Sequence, residues 1–144
     1  MTYYAVIDTN VVVSSMLKST SVPGQIVDLA LKGEIVPLLN QEILDEYEEV
    51  LLRNEFGFKE SDVKDLLDLL NEKAVFLDRT PTDELFNDPD DVVFYEIVLT
   101  ARKSSDAYLI TGNTKHYPVK TFVVTPKEML EIIAAAQDAV KETE

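Results

Sequence analysis

The chain has 144 residues, 46% hydrophobic and 28% charged, the length and composition of one ordinary globular domain and not of a disordered, collagen-like or coiled-coil chain. Its 13 basic against 27 acidic residues leave a net charge of −14, which argues against passive binding to nucleic-acid phosphates. Without cysteine and with a single histidine, His116, a disulfide framework, a thiolate zinc site and a cysteine nucleophile are excluded, and a hard, oxygen-ligated metal remains open.

The opening residues, Met1-Thr-Tyr-Tyr-Ala-Val-Ile-Asp8, carry no basic region and meet an acid early, so no signal peptide is expected. No apolar run approaches the roughly 18 residues of a membrane span. The chain thus reads as cytoplasmic, with no membrane partner. Residues 3–8 form the first of five continuous apolar runs of the kind found in strands buried on both faces; the others are 34–38, 74–77, 107–111 and 121–125. After the second run, Asn40 can cap a helix whose apolar face is Ile43, Leu44, Tyr47, Val50 and Leu51. Ser61 precedes Val63, Leu66, Leu67 and Leu70, again one helical face. Asp91 precedes a helical stretch over 92–103 that ends on Arg102 and Lys103, where the helix dipole favours cations. Thr125-Pro126-Lys127-Glu128 is a capping box with proline at the first helical position, opening a last helix. Strands alternating with helices predict an α/β fold: a single domain over 1–144, three layers α/β/α, with a mainly parallel sheet of about five strands.

The charge is unevenly spread. Five carboxylates fall between Glu42 and Glu49 and five between Asp83 and Asp91, whereas residues 100–127 carry Arg102, Lys103, Lys115, Lys120 and Lys127 against Asp106 alone. An acidic run is ordinarily a solvated face. Ligands of open parallel sheets, however, bind beyond the carboxyl ends of the strands. The first strand runs into Asp8-Thr9-Asn10 and the fourth into Gly112-Asn113. Asn87-Asp88-Pro89-Asp90-Asp91 precedes the helix leading to the fourth, and Glu46 lies on the helix after the second. Each cluster has a plainer reading. Asp8 can be an N-cap, Asp88–Asp91 a turn, Asn113 a turn residue and His116 a loop histidine. At 100° per residue Glu46 and Glu48 flank the apolar arc on opposite sides, so periodicity does not choose between them.

Four segments together resemble the PIN domain family, in particular its bacterial and archaeal toxin-like group. They are Val6-Ile7-Asp8-Thr9-Asn10-Val11-Val12-Val13-Ser14, Ile43-Leu44-Asp45-Glu46-Tyr47, Asp88-Pro89-Asp90-Asp91 and Tyr108-Leu109-Ile110-Thr111-Gly112-Asn113, within a likeness running from Ala5 to about Ile133. The resemblance implies a metal-dependent endoribonuclease holding Mg²⁺ or Mn²⁺ on clustered carboxylates. Matched residue by residue, the first acid is Asp8, the second Glu46 and the third Asp91, with Asp88 as the second choice. The fourth position, commonly aspartate in the family, is Asn113, which brings an amide oxygen without charge and leaves one metal or two open. Thr9, Asn10, Ser14 and Thr111 would hold the carboxylates in place. Single-stranded RNA would be the substrate, guided by Lys115 and Lys120, and the resemblance also implies an antitoxin protein and a homodimer. The alternative is a catalytically weak PIN fold kept as an interaction or regulatory module, which Asn113 and the acidic total favour. A dehalogenase-type phosphatase fits less well, because Asn10 stands where its second aspartate belongs. A receiver domain lacks its paired acids, and no Gly-rich phosphate loop is present among four glycines.

Overall fold

The computed structural model describes residues 2–143. Five strands, β1 (Tyr3–Ile7), β2 (Ile35–Leu39), β3 (Val75–Phe76), β4 (Tyr108–Ile110) and β5 (Val123–Val124), form one parallel sheet in the order β3-β2-β1-β4-β5. Six helices surround it: α1 (Thr9–Leu17), α2 (Val22–Leu31), α3 (Gln41–Leu51), α4 (Glu60–Lys73), α5 (Val92–Arg102) and α6 (Pro126–Thr143). Ala5, Val6 and Ile7 are successive residues of β1 and all are buried, so both faces of the central strand are covered, as a three-layer α/β/α fold requires. α5 packs across β1, β2 and β4, and α2 packs on β2 and against α6. No helix among the described residues is long and apolar enough to cross a membrane.

Four strands are shorter than the apolar runs that announce them, whereas β2 keeps its length one residue further on; in burial β3 departs furthest, with Val75 40% and Phe76 48% exposed. It is a two-residue edge strand paired only with Leu38 and Leu39, so it lacks the two-sided burial expected of its run. α3 and α6 start where their caps predict, whereas α4 begins at Glu60, ahead of Ser61, with no side-chain cap. Asn40 Oδ1 accepts from the Ile43 amide at 2.9 Å. Thr125 and Glu128 close a reciprocal capping box, with the Thr125 amide on Glu128 Oε1 at 3.0 Å and the Glu128 amide on Thr125 Oγ1 at 3.1 Å. α1 contains the β-branched run Val11–Val13, poor in intrinsic helix propensity, and is held by burial of all three side chains. At Gly24 in α2 a Cβ would lie 2.2 Å from the Ser19 carbonyl oxygen, so only glycine lets α2 approach the turn before it.

The chain leaves β1 toward β2 and β3 on one side, and the later strands β4 and β5 add on the other. Between β1 and β4 lies the point where strand order reverses, the usual crevice for ligands in such sheets. Ile7 is in register with Ile110, and the Asp8 amide donates to the Ile110 carbonyl at 2.9 Å. The residues that follow the two strands, Asp8 and Thr111, are therefore side by side.

Candidate active site at the strand-order reversal

Asp8 occupies the N-cap position of α1, yet its side chain makes no capping hydrogen bond. It turns across the crevice instead. Its Oδ2 accepts from Thr111 Oγ1 at 2.7 Å, from the Tyr117 hydroxyl at 3.1 Å and from Asn10 Nδ2 at 3.4 Å. The side chain therefore makes no N-cap bond to α1 and is held chiefly by Thr111 and Tyr117, more than 100 residues away. Asp8 is buried, and burial raises its pKa; the Thr111 and Tyr117 hydroxyls, the Thr9 amide and His116 pull the other way without restoring the ordinary value. Thr111, fully buried, donates to Asp8 while its Oγ1 accepts from the Asn113 amide at 3.1 Å, so the turn after β4 orients it. Asn10 completes the junction by accepting from the Gly112 amide at 3.0 Å.

α3 points Glu46 inward and leaves Glu48 exposed. Glu46 Oε2 accepts from the Thr9 hydroxyl, which ties the second helix-borne acid to the residue next to Asp8. Burial raises the Glu46 pKa, and the charges of Asp8, Asp90 and Asp91 raise it further against that hydrogen bond. The orientation follows from Tyr47, whose buried ring anchors α3 and whose hydroxyl donates to the Ile7 carbonyl at the end of β1.

Asp91 ends the 3-10 turn Pro89–Asp91 that leads into α5. Its side chain is 15% exposed, and its pKa is pushed up to about 6, first by burial, then by Asp8 and Asp88, with Asp90 adding and His116 opposing. Asp88 is placed differently: it is exposed, and its Oδ1 accepts from the Asp90 amide at 2.9 Å, capping its own turn. Asn113 also serves its own turn. Its Oδ1 accepts from the Lys115 amide at 3.2 Å, and Nδ2 meets His116 Nε2 at 2.9 Å. The other ring nitrogen, Nδ1, faces Asp91 Oδ2 at 3.8 Å.

Tyr117 is the neighbour of the cluster that sequence reasoning missed, and His116, read from the sequence as a loop histidine, stands beside it. Tyr117 is buried, and burial together with Asp8 drives its pKa far up, so the hydroxyl remains a donor. Its ring is braced edge-on by Phe86, with centroids 6.1 Å apart. Ser14 has no hydrogen bond to the carboxylates and lies with Asn10, Gly112 and Asn113 along a shallow cleft. Lys120 is committed to Glu84 at 3.2 Å, and Glu84 also accepts from the Tyr95 hydroxyl. Lys115 makes no ion pair among the described residues.

Asp8, Glu46 and Asp91 thus stand near one another, each with a raised pKa, and no Lys or Arg among the described residues forms an ion pair with any of them. Among the described residues no three His, Asp or Glu side chains form a ready-made metal cage. The donor set still fits a hard cation. Mg²⁺ uses one or two carboxylates and completes its octahedron with water, and a cation would relieve the mutual repulsion that raises these pKa values.

The PIN domain family model matches residues 4–115, most of the chain and every residue of this cluster except His116 and Tyr117. The chain belongs to the PIN domain family. PIN domains are generally nucleases, hydrolases of phosphodiester bonds, and typically use divalent metals. The match ends at Lys115, short of the Ile133 that the likeness was expected to reach, so β5 and α6 lie beyond it. No curated protein matches the chain.

Proposed function

We propose that this PIN domain is a metal-dependent endoribonuclease acting on single-stranded RNA, with Asp8, Glu46 and Asp91 as the acids that hold Mg²⁺ or Mn²⁺. The observation that carries the reading is Asp8: a buried carboxylate that forgoes its helix cap to face two further acids at the strand-order reversal. A divalent cation at such a site supplies charge neutralisation on phosphate oxygens and a water acidic enough to attack near neutral pH. The chain's own groups do the rest. Thr111 and Tyr117 fix the Asp8 rotamer, Thr9 fixes Glu46, and Asn113 orients His116 toward Asp91. Asp88 and Asp90 add negative charge around Asp91. Lys115 is the cation placed to meet phosphate against the net charge of −14, with Lys120 joining once it leaves Glu84.

The reading extends, on the family likeness, to a single-domain cytoplasmic toxin with a protein antitoxin and a homodimeric assembly. The second reading, an interaction or regulatory module with weak catalysis, is favoured by one observation. Asn113, at the family's fourth acidic position, is uncharged and spends its oxygen on its own turn. Cleavage of single-stranded RNA with Mn²⁺ separates the two. The parent cleaves and EDTA abolishes cleavage; Asp8→Asn and Glu46→Gln lose it by orders of magnitude, and Glu48→Gln retains it. Undiminished cleavage in EDTA refutes the metal mechanism, and no cleavage under any metal favours the module.

A further inference from the structure

Arg79 stands outside the cluster, in the coil after β3, and its guanidinium grips acids on two different helices. Nε donates to Glu96 Oε1 at 2.7 Å and Nη1 to Glu42 Oε2 at 2.8 Å. Glu96 is buried within α5, and its other oxygen accepts from the Thr82 amide at 2.8 Å, so both oxygens are engaged. Glu42 lies in the first turn of α3. At 1.5 Å per residue Glu42 is about 6 Å along α3 from Glu46, and Glu96 about 7.5 Å along α5 from Asp91. Numbers rise from 42 to 46 on α3 and fall from 96 to 91 on α5. The pair therefore runs in opposite senses, with Arg79 at one end and the Glu46 and Asp91 carboxylates at the other. Tyr47 and Phe94 pack between the helices, their ring centroids 6.4 Å apart.

The other end holds Glu46 and Asp91, and no Lys or Arg among the described residues forms an ion pair with either. The Arg79 end is the attractive counterpart. Resting on the site proposed above, we propose that Arg79 is a positioning residue, a staple that fixes the separation of the helices carrying Glu46 and Asp91 and so the fit of the divalent ion. Its planar fork reaches both acids at once with Nε and Nη1, which a lysine ammonium does not reproduce. The exposed limb to Glu42 adds little to global stability, but it is Arg79's hold on α3. The buried limb leaves Glu96 uncompensated if cut.

The test compares the parent with Arg79→Gln, Arg79→Lys and Glu42→Gln by amide hydrogen exchange without metal and by Mn²⁺ titration calorimetry. In Arg79→Gln, exchange at residues 44–48 and 90–94 accelerates and Mn²⁺ affinity falls roughly ten-fold, in the range of lost supporting contacts to metal ligands. Arg79→Lys does not restore either. Glu42→Gln, which cuts the staple's hold on α3 and keeps the fold should Arg79→Gln lose it, shifts both readouts in the same direction as Arg79→Gln, and parental values for both overturn the proposal. Faster exchange confined to residues 78–84, or a lower melting temperature with parental Mn²⁺ affinity, overturns the positioning role. A parent that binds no Mn²⁺ refutes the proposed function instead, and exchange at 44–48 and 90–94 then decides whether Arg79 is a staple.

Discussion

Replacing Asp91 with asparagine removes one charge from the crowded edge while keeping the shape of the side chain. Asp91 makes no capping bond to α5, so the amide forfeits none. Its pKa is about 6 in the folded chain against an ordinary 3.8, chiefly through burial and the charges of Asp8 and Asp88. Between those values the folded state keeps a proton that the unfolded state releases, so stability falls as pH rises from 3.8 to about 6 and stays reduced above. At 1.36 kcal/mol per unit the whole shift corresponds to about 3 kcal/mol. The carboxylate opens onto solvent on one side, and screening lowers this to about 1–2 kcal/mol. For a chain of this length that is about 3–6 °C in melting temperature. Thermal melts of parent and Asp91→Asn in EDTA at pH 7.5, 6, 5 and 4 give the readout. The variant melts higher at pH 7.5, and the gain shrinks as pH falls through 6 and vanishes below 3.8. A gain independent of pH, or a variant no more stable than the parent at pH 7.5, refutes the argument that Asp91 is held against repulsion.

Thr111→Val removes the shortest hydrogen bond to Asp8; metal-dependent cleavage falls about 10–100-fold in a gel assay, and stability drops by about 1.5–3 kcal/mol in urea melts. Asn113→Asp adds a charge beside the cluster but breaks the amide contact to His116. Calorimetry with Mn²⁺ is expected to show tighter binding by about 1 kcal/mol, and unchanged affinity and stoichiometry assign Asn113 to its turn alone.

What the sequence carries locally, it displays. The capping box at Thr125–Glu128 and the Asn40 cap are contacts between residues three apart, and they mark α6 and α3 within a residue. The order of apolar runs and helical faces similarly yields a parallel α/β sheet. α1 is less legible, because Val11–Val13 reads equally as strand, and only burial decides for helix. The exposure of β3 follows from its place at the sheet edge, which no local pattern encodes. In the site, Glu46 and Glu48 are indistinguishable by periodicity and become distinct once Thr9 reaches Glu46 from another element. Tyr117 was invisible for the same reason, since its partner Asp8 is 109 positions away in the chain. The Lys120–Glu84 pair likewise joins two loops whose approach depends on the whole fold.

The central position of β1 has a consequence for how the molecule comes into being. β1 is synthesised first, but the strand on its other flank, β4, is made only after residue 107, and the hydroxyls that hold Asp8 arrive with Thr111 and Tyr117. Pairings at such sequence separation form late, after the cost of closing the intervening loop. A nascent chain that has not yet cleared Tyr117 from the ribosome can bury β2 against β1 and still hold no assembled acid cluster. The order of the strands thus leaves Asp8 without the hydroxyls that orient it until β4 and the turn after it have been made.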